Sequence, residues 1–246
     1  MSWNWVPLRH RISLPETPRL VLTLAVAGLL SGLTIVGAYR LTLPRIQANQ
    51  AEALRRAVFE VLPGAERMER LVWRSEGAGE GGGALVPAGE GTAPTEPSVY
   101  AGFGAGGRFL GYALPAAGAG FQDTIRLLYG YDPAGDRIVG MQILESRETP
   151  GLGDRIYKDE AFVAQFRDLA VAPRLELVKE APTAPNQVDA ITGATISSAA
   201  VVAILQAAND QWLERLESSP PPAPVEPGQE APVPPARGGP IPGGKQ

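Results

Sequence analysis

Residues 189–198 read Asp-Ala-Ile-Thr-Gly-Ala-Thr-Ile-Ser-Ser and stand directly before a long helical pattern. A helix that starts after such a turn presents unpaired backbone N–H groups and the positive end of its macrodipole, which together suit a phosphate group. The hydroxyl of Thr195, in the middle of the stretch, could itself be esterified by that phosphate. The alternative is a helix cap without a ligand, since Ser and Thr are common at helix starts.

A second informative loop lies upstream. Residues 148–153 read Glu-Thr-Pro-Gly-Leu-Gly and directly follow a predicted strand at 137–144. Pro150 fixes one backbone dihedral, and Gly151 and Gly153 permit backbone shapes that other residues resist. On physical grounds alone the segment is a rigid, tight loop, and a plain turn would explain it.

Composition argues against several classes of function. The formal net charge of −4 gives no reason to expect nucleic acid as a partner. The chain has no cysteine, which excludes disulfides, cysteine-ligated iron–sulfur clusters and a thiol nucleophile. His10 is the only histidine, so we predict no catalytic residue and no metal ligand. In a redox protein of this composition, an organic cofactor must carry the electrons.

Both motifs resemble those of one known family, the FMN-binding subunits of Rnf and Nqr respiratory complexes. The family pattern is Asp-x-x-Ser/Thr-Gly-Ala-Thr-x-x-Ser/Thr, in which the Thr after Ala carries FMN through a phosphoester bond. The 148–153 loop resembles a second signature of the family, and residues 120–125 resemble a third, less specific one. The resemblance covers about residues 20 to 215. The fixed positions of the first pattern are filled here by Asp189, Thr192, Gly193, Ala194, Thr195 and Ser198.

The resemblance implies FMN as the cofactor, attached covalently to Thr195 as a phosphoryl threonine, which would make the chain a flavoprotein and a phosphoprotein. Gly193 would let the backbone approach the phosphate, and hydroxyl groups of the motif would bind the phosphate or cap the helix. The 148–153 loop would lie against the isoalloxazine ring, with its backbone N–H groups reaching the flavin. The expected cofactor-binding residues are Asp189, Thr192, Gly193, Ala194, Thr195, Ser197 and Ser198 in the first motif, and Glu148, Thr149, Gly151, Leu152 and Gly153 in the second.

The resemblance also implies a place in a larger assembly. We expect a membrane-anchored electron-transfer subunit of an Rnf-type complex (also called Rsx), a translocase that couples redox chemistry to ion transport. Its partners would be subunits of the A, B, C, D and E type, and a separate Mg-dependent flavin transferase would attach the FMN. The protein would not be catalytic alone. Two alternatives stay open: the C subunit of the sodium-translocating NADH:quinone reductase, and a membrane-tethered binding or scaffold protein whose Ser/Thr turn only caps a helix.

One segment is long and apolar enough to cross a membrane. No charged residue lies between Leu20 and Tyr39, and about 20 apolar residues span the roughly 30 Å hydrocarbon core. We interpret the segment as an uncleaved anchor rather than a signal peptide. Basic residues are nearly balanced on its two sides, so charge does not set the orientation. The resemblance implies the bacterial inner membrane, with the flavin domain on the periplasmic side.

The remaining chain divides by composition. The spacing of apolar residues after Pro44 predicts an amphipathic linker helix, a Gly-rich stretch predicts a flexible insertion, and a Pro-rich C-terminus predicts disorder. The expected division is a cytoplasmic tail at 1–19, a transmembrane helix at 20–43, a linker helix at 44–64, a periplasmic FMN-binding domain at 65–217 with the insertion at 75–98, and a disordered tail at 218–246.

The folded domain is expected to be α+β, with a mostly antiparallel sheet flanked by helices. Alternating apolar residues and turn chemistry predict the strands, and longer apolar periodicity predicts two helices. One stripe of the second helix is interpreted as core and not as a cofactor contact; it consists of Val201, Leu205, Ala208, Trp212 and Leu216. The predicted strands are 99–103, 108–114, 125–131, 137–144 and 174–178, and the predicted helices are 159–169 and 197–216.

Overall fold

The computed structural model describes residues 17–74, 83–89, 92–93 and 96–222. The chain divides after Gln47 into two compact units. The first unit holds most of one long helix, and the second holds the end of that helix, the sheet and the remaining helices. Most of the predicted N-terminal and C-terminal tails, residues 1–16 and 223–246, lie outside the described residues.

A long helix, α1, runs from Thr17 to Val61. Within the described residues it is the one helix whose length and composition allow it to cross a membrane. The segments predicted at 20–43 and 44–64 are parts of one continuous helix with Pro44 inside it, and the boundary between membrane span and linker stays a prediction. A proline removes one backbone hydrogen bond but is accommodated within a helix as a local distortion, and the helical residues on both sides continue through it.

The second unit is built on an antiparallel sheet. Its strands are β1 (Arg67–Arg74), β2 (Ala84–Pro87), β3 (Ser98–Phe103), β4 (Phe109–Ala119), β5 (Thr124–Asp132), β6 (Arg137–Glu145) and β7 (Leu169–Ala170). Among the described residues they pair in the order β2-β1-β3-β4-β5-β6-β7, and every neighbouring pair is antiparallel. The expected α+β class with a mostly antiparallel sheet is confirmed.

Two strands at one edge of the sheet, β1 and β2, were not predicted. β1 has no regular alternation of polar and apolar residues, and β2 lies within the stretch 75–98 that we predicted to be a flexible insertion. β2 pairs with β1 in the register Trp73↔Leu85, and Gly83 packs directly under the indole of Trp73. The described part of the insertion therefore contains sheet structure, because pairing with a neighbouring strand and an aromatic contact outweigh its weak local pattern. Residues 75–82, 90–91 and 94–95 lie outside the described residues.

Two apolar clusters cover the opposite faces of the sheet. The larger one packs the sheet against the last helix, α4 (Thr195–Glu217), whose predicted stripe from Val201 to Leu216 is confirmed as buried. The smaller one packs the end of α1 against the other face and contains Leu54, Val58 and Val61. Alternate residues of one strand point to opposite faces, which is why Val99 and Tyr100 belong to different clusters.

The end of α1 thus contributes to the core of the domain that was predicted to start at residue 65. Gly130 and Gly140 are paired across β5 and β6. A Cβ at Gly130 would collide with the carbonyl oxygen of Val61, and one at Gly140 would lie 2.9 Å from the Cα of Val61. The two glycines therefore form a notch in the sheet that admits the last turn of α1.

Short elements connect β6 to α4. They are α2 (Arg155–Lys158), α3 (Glu160–Ala164), a 3₁₀ turn (Gln165–Arg167), β7, and the strands β8 (Glu176–Val178) and β9 (Gln187–Asp189), which pair in parallel. The helix predicted at 159–169 is present as α3 and the 3₁₀ turn that follows it, and it ends before Leu169, which pairs with β6 as part of β7. The carboxylate of Asp159 accepts a hydrogen bond from the N–H of Phe162 and so caps the start of α3. The strand predicted at 174–178 is present as β8.

Candidate functional site

The turn before α4 is shaped by one glycine and one uncapped helix start. Gly193 has φ +84, a conformation that favours glycine. Ala194 is the N-cap residue, and its side chain makes no capping hydrogen bond. The first backbone bond of the helix is donated by the N–H of Ser198 to the carbonyl of Ala194, at 2.9 Å. The N–H groups of residues 195–197 therefore have no partner within the helix and are available to an anion.

Ser198 lies inside the turn, and its role as a cofactor contact stays a prediction. It has no exposed surface. Its Oγ accepts a hydrogen bond from the N–H of Ile191 at 3.2 Å and donates one to the carbonyl of Ala194 at 3.0 Å. Ser198 thus holds the turn together from the inside and does not cap the helix.

Glu148 brings the three sequence motifs into contact. The hydroxyl of Ser197 donates a 2.6 Å hydrogen bond to its Oε2, and the N–H of Gln122 donates a 3.1 Å bond to its Oε1. Ser197 and Glu148 are both buried. The two side chains are therefore engaged with each other, and their role as cofactor contacts stays a prediction. A Cβ at Gly153 would lie 2.8 Å from the Oγ of Ser197 and 2.7 Å from the Oε2 of Glu148. A residue with a side chain would therefore clash with this contact.

The 148–153 loop is closed by its own backbone. The N–H groups of Leu152 and Asp154 donate to the carbonyl of Thr149, at 3.1 and 3.3 Å. The N–H of Gly151 donates to the Oδ1 of Asp154, at 2.8 Å. The N–H groups of Gly151 and Leu152 thus have partners within the loop, and contact of the loop with a flavin stays a prediction. The ammonium group of Lys158 donates to Asp154, and this bond holds the pKa of the Asp154 carboxyl below its usual value.

Three apolar side chains around this network face solvent. Phe121, Leu152 and Ile196 are 59%, 53% and 62% exposed. Each is the sequence neighbour of a residue at the Glu148 contact: Gln122, Gly153 and Ser197 respectively. Thr195 is half-buried, and Thr192 and Gly193 are exposed beside it. The motifs therefore enclose a polar turn that adjoins an apolar, open surface.

Two residues that hold the first motif were not found by sequence reasoning. The guanidinium of Arg155 donates to the carbonyl of Thr192 at 2.8 Å and to the Oδ2 of Asp159 at 2.9 Å. The side-chain amide of Gln165 exchanges hydrogen bonds with the backbone of Asp189, at 2.6 and 3.2 Å. Arg155 could have been found from the sequence, because it is a basic residue that closely follows the second loop. Nothing in the sequence pattern singles out Gln165.

Comparison with known proteins identifies the class of domain. Residues 120–210, which contain all three motifs, match the family of the FMN-binding domain. Two solved structures share the fold. One is the crystal structure of Shewanella oneidensis NqrC, with a TM-score of 0.55 and 16% identity over 70% of this chain and 100% of that chain. The other is the C subunit of the Na⁺-translocating NADH-quinone reductase of Parabacteroides distasonis, with a TM-score of 0.53 and 18% identity. That second match covers 70% of this chain and 96% of the other.

One of the sequence relatives matches over most of the chain. The G subunit of an ion-translocating oxidoreductase complex from Methanosarcina acetivorans is 34% identical over 79% of this chain and 94% of its own length. The G subunit of the proton-translocating ferredoxin:NAD⁺ oxidoreductase complex from Clostridium ljungdahlii is 37% identical over 43% of this chain and 55% of its own length. The chain therefore belongs to the family of G subunits of ion-translocating oxidoreductase complexes. It is a membrane-anchored member with an FMN-binding, electron-transfer domain.

Proposed function

We propose that this protein carries FMN covalently on Thr195, through a phosphoester, and relays electrons within an Rnf-type complex. The observation that carries the attachment is the open start of α4. Thr195 stands at the first helical position, behind an N-cap alanine that makes no side-chain cap, so the N–H groups around it are left for a phosphate. Phe121, Leu152 and Ile196 are exposed, and they would supply apolar contacts to the isoalloxazine ring.

Attachment needs a nucleophilic hydroxyl and a donor of FMN. The oxygen of Thr195 forms a bond to the FMN phosphorus of FAD, the pyrophosphate bond to the AMP half breaks, and the hydroxyl proton leaves. The products are the phosphothreonyl flavin and AMP, and a Mg-dependent flavin transferase supplies the catalysis. In this chain, Gly193 keeps the turn free of a side chain, and the helix N–H groups hold the phosphate oxygens.

FMN supplies the electron chemistry when it is bound. This chain supplies attachment, orientation and a membrane anchor. Covalent attachment would keep the carrier from being lost into a compartment without free FMN. We place the domain on the periplasmic side of the inner membrane, with α1 beside membrane subunits of the A, D and E type and with B and C as further partners. A reporter fusion that shows a cytoplasmic C-terminus would overturn this orientation.

The alternatives are weighed by particular observations. The likeness to NqrC structures is a likeness of fold at 16% and 18% identity, whereas a relative from the G-type subunits matches at 34% over most of the chain. The scaffold alternative needs the Ser/Thr turn to be a plain helix cap. Ser197 and Ser198 direct their hydroxyl groups to Glu148 and to the carbonyl of Ala194 instead.

The attachment is tested by intact mass of the protein from a host that has the transferase. The wild-type mass should rise by one esterified FMN, with the adduct mapped to the peptide that contains Thr195. Thr195→Ala should lose the adduct and the flavin fluorescence of the denatured band. Thr183→Ala, at an exposed threonine outside the motif, should keep both. Flavin retained by Thr195→Ala would place the attachment elsewhere.

A further inference from the structure

Thr195 is held from both sides by a single segment of the chain. Glu148 contacts Ser197, two positions after Thr195, and Arg155 contacts the carbonyl of Thr192, three positions before it. We propose that Glu148 and Arg155 are positioning residues for flavin attachment, which set the geometry of the Thr195 hydroxyl without contacting FMN. This inference rests on the proposed attachment at Thr195 and adds the residues that make the threonine reactive.

The contacts of Glu148 favour a positioning role over a ligand role. Its side chain is 5% exposed, and each carboxylate oxygen already accepts a hydrogen bond, from Ser197 or from Gln122. Truncation of Glu148 would leave the buried hydroxyl of Ser197 and the N–H of Gln122 without this acceptor. The first turn of α4 would then be free to move relative to the 120–125 segment.

Arg155 holds the other side of the turn. Its planar guanidinium joins the carbonyl of Thr192 to the carboxylate of Asp159, with two separate N–H groups. A lysine presents its charge at one point and cannot reproduce this fork. Asp159 is itself fixed, because its carboxylate accepts hydrogen bonds from the N–H of Phe162 and from the Arg155 guanidinium. These bonds also hold the pKa of Asp159 below its usual value. The carbonyl of Thr192 is therefore tied to the start of α3.

Both contacts matter for the transfer because the attacking oxygen must lie close to the phosphorus and in line with the leaving group. A displacement of about 1 Å costs on the order of 100-fold in rate. We therefore expect Glu148→Ala and Arg155→Ala each to slow FMN attachment by about 100-fold. Glu148→Gln keeps an acceptor for Gln122 and a polar group for Ser197, so it should restore attachment to near the wild-type rate.

The experiment uses the full chain in detergent, with FAD, Mg²⁺ and purified flavin transferase, and follows the initial rate of the mass increase. Glu145→Ala and Arg174→Ala are matched controls, since both are exposed charged residues outside the contact network. Both controls should react at the wild-type rate. Arg155→Lys should stay slow, because one amino group cannot hold both partners.

Each outcome has a distinct meaning. Attachment to Glu148→Ala and Arg155→Ala at the wild-type rate would overturn the positioning role while leaving Thr195 as the site. A Glu148→Gln variant as slow as Glu148→Ala would overturn it as well, because charge and not geometry would then matter. No attachment to wild type would overturn the proposed function itself. If thermal unfolding shows that Glu148→Ala does not fold, Ser197→Ala decides: a slow rate supports the role, and the wild-type rate contradicts it.

Discussion

The first turn of α4 and the remainder of the same helix meet opposite demands. The first turn leaves Thr195 partly open and Ile196 exposed, and its N-cap alanine makes no side-chain cap. The stripe from Val201 to Leu216 is buried against the sheet. An alanine at the N-cap costs about 1 kcal/mol relative to Ser or Asp, whereas one buried leucine contributes several times that amount. The stripe can therefore stabilise a helix whose start stays open for a ligand.

The largest expected effect is a loss of stability when the buried stripe of α4 is changed and its first turn is not. Leu205 is fully buried, so Leu205→Ala should lower the free energy of unfolding by about 2–5 kcal/mol. The folded fraction should still take up FMN at Thr195, since the first turn is untouched. Chemical denaturation and intact mass measure the two quantities on one sample. Loss of attachment in protein that is still folded would show that the two parts of α4 are coupled.

A smaller loss of stability is expected when the glycine of the turn, Gly193, is replaced. Nothing lies within 4 Å of a Cβ placed on Gly193, yet its φ is +84. Gly193→Ala should therefore cost roughly 1–2 kcal/mol from backbone conformation alone. Gly151, with φ +79 and equally open space, is the matched control. Both variants should unfold at similarly lowered temperatures, and only Gly193→Ala should also slow FMN attachment.

Capping the helix tests whether its open start serves the ligand. Ala194→Ser places a hydroxyl where it can accept from the free N–H groups of the first turn, and should raise stability by about 1 kcal/mol. The same change should slow attachment, because the cap competes with the phosphate. Ala200→Ser is the control, because it makes the same substitution within the helix and should not raise the stability of the protein. A stabilised Ala194→Ser that takes up FMN at the wild-type rate would contradict this use of the helix start.

The smallest expected effect is a dependence of stability on pH. It arises from Asp154, next to the 148–153 loop of the candidate site. The hydrogen bond from Lys158 lowers the pKa of Asp154 below its usual 3.8. Asp154 therefore stabilises the folded protein above that pH, and this contribution is lost as the pH falls through the lower folded pKa. Melting temperatures of Lys158→Met should fall less steeply on acidification through this range than those of wild type. Parallel curves for the two proteins would rule out this contribution.

The elements that were predicted correctly from the sequence are those with a local signal. β3 to β6 are apolar-rich segments joined by turns with clear chemistry, such as the one at 132–136, and all four were predicted. The stripe of α4 is also a local periodicity. β1 and β2 were missed because their stability comes from pairing with each other and from the contact of Gly83 with Trp73.

The site was predicted in part for the same reason. The sequence located both motifs and singled out Thr195, but it could not show which polar side chains turn inward. Ser197 and Glu148 bond to each other only because the fold brings together segments 49 residues apart. Arg155 and Gln165 hold the first motif across 37 and 24 residues, which no local pattern reveals.

The glycine notch beneath Val61 determines how the domain can be cut from its anchor. A soluble fragment that began at the predicted domain start, residue 65, would uncover Tyr100 and Leu128 and leave an empty groove over Gly130 and Gly140. Such a fragment would expose apolar surface and aggregate. A fragment that begins near Ala48 keeps the last turns of α1 as a lid on this face, and it is the one to use for crystallisation or spectroscopy of the flavin domain.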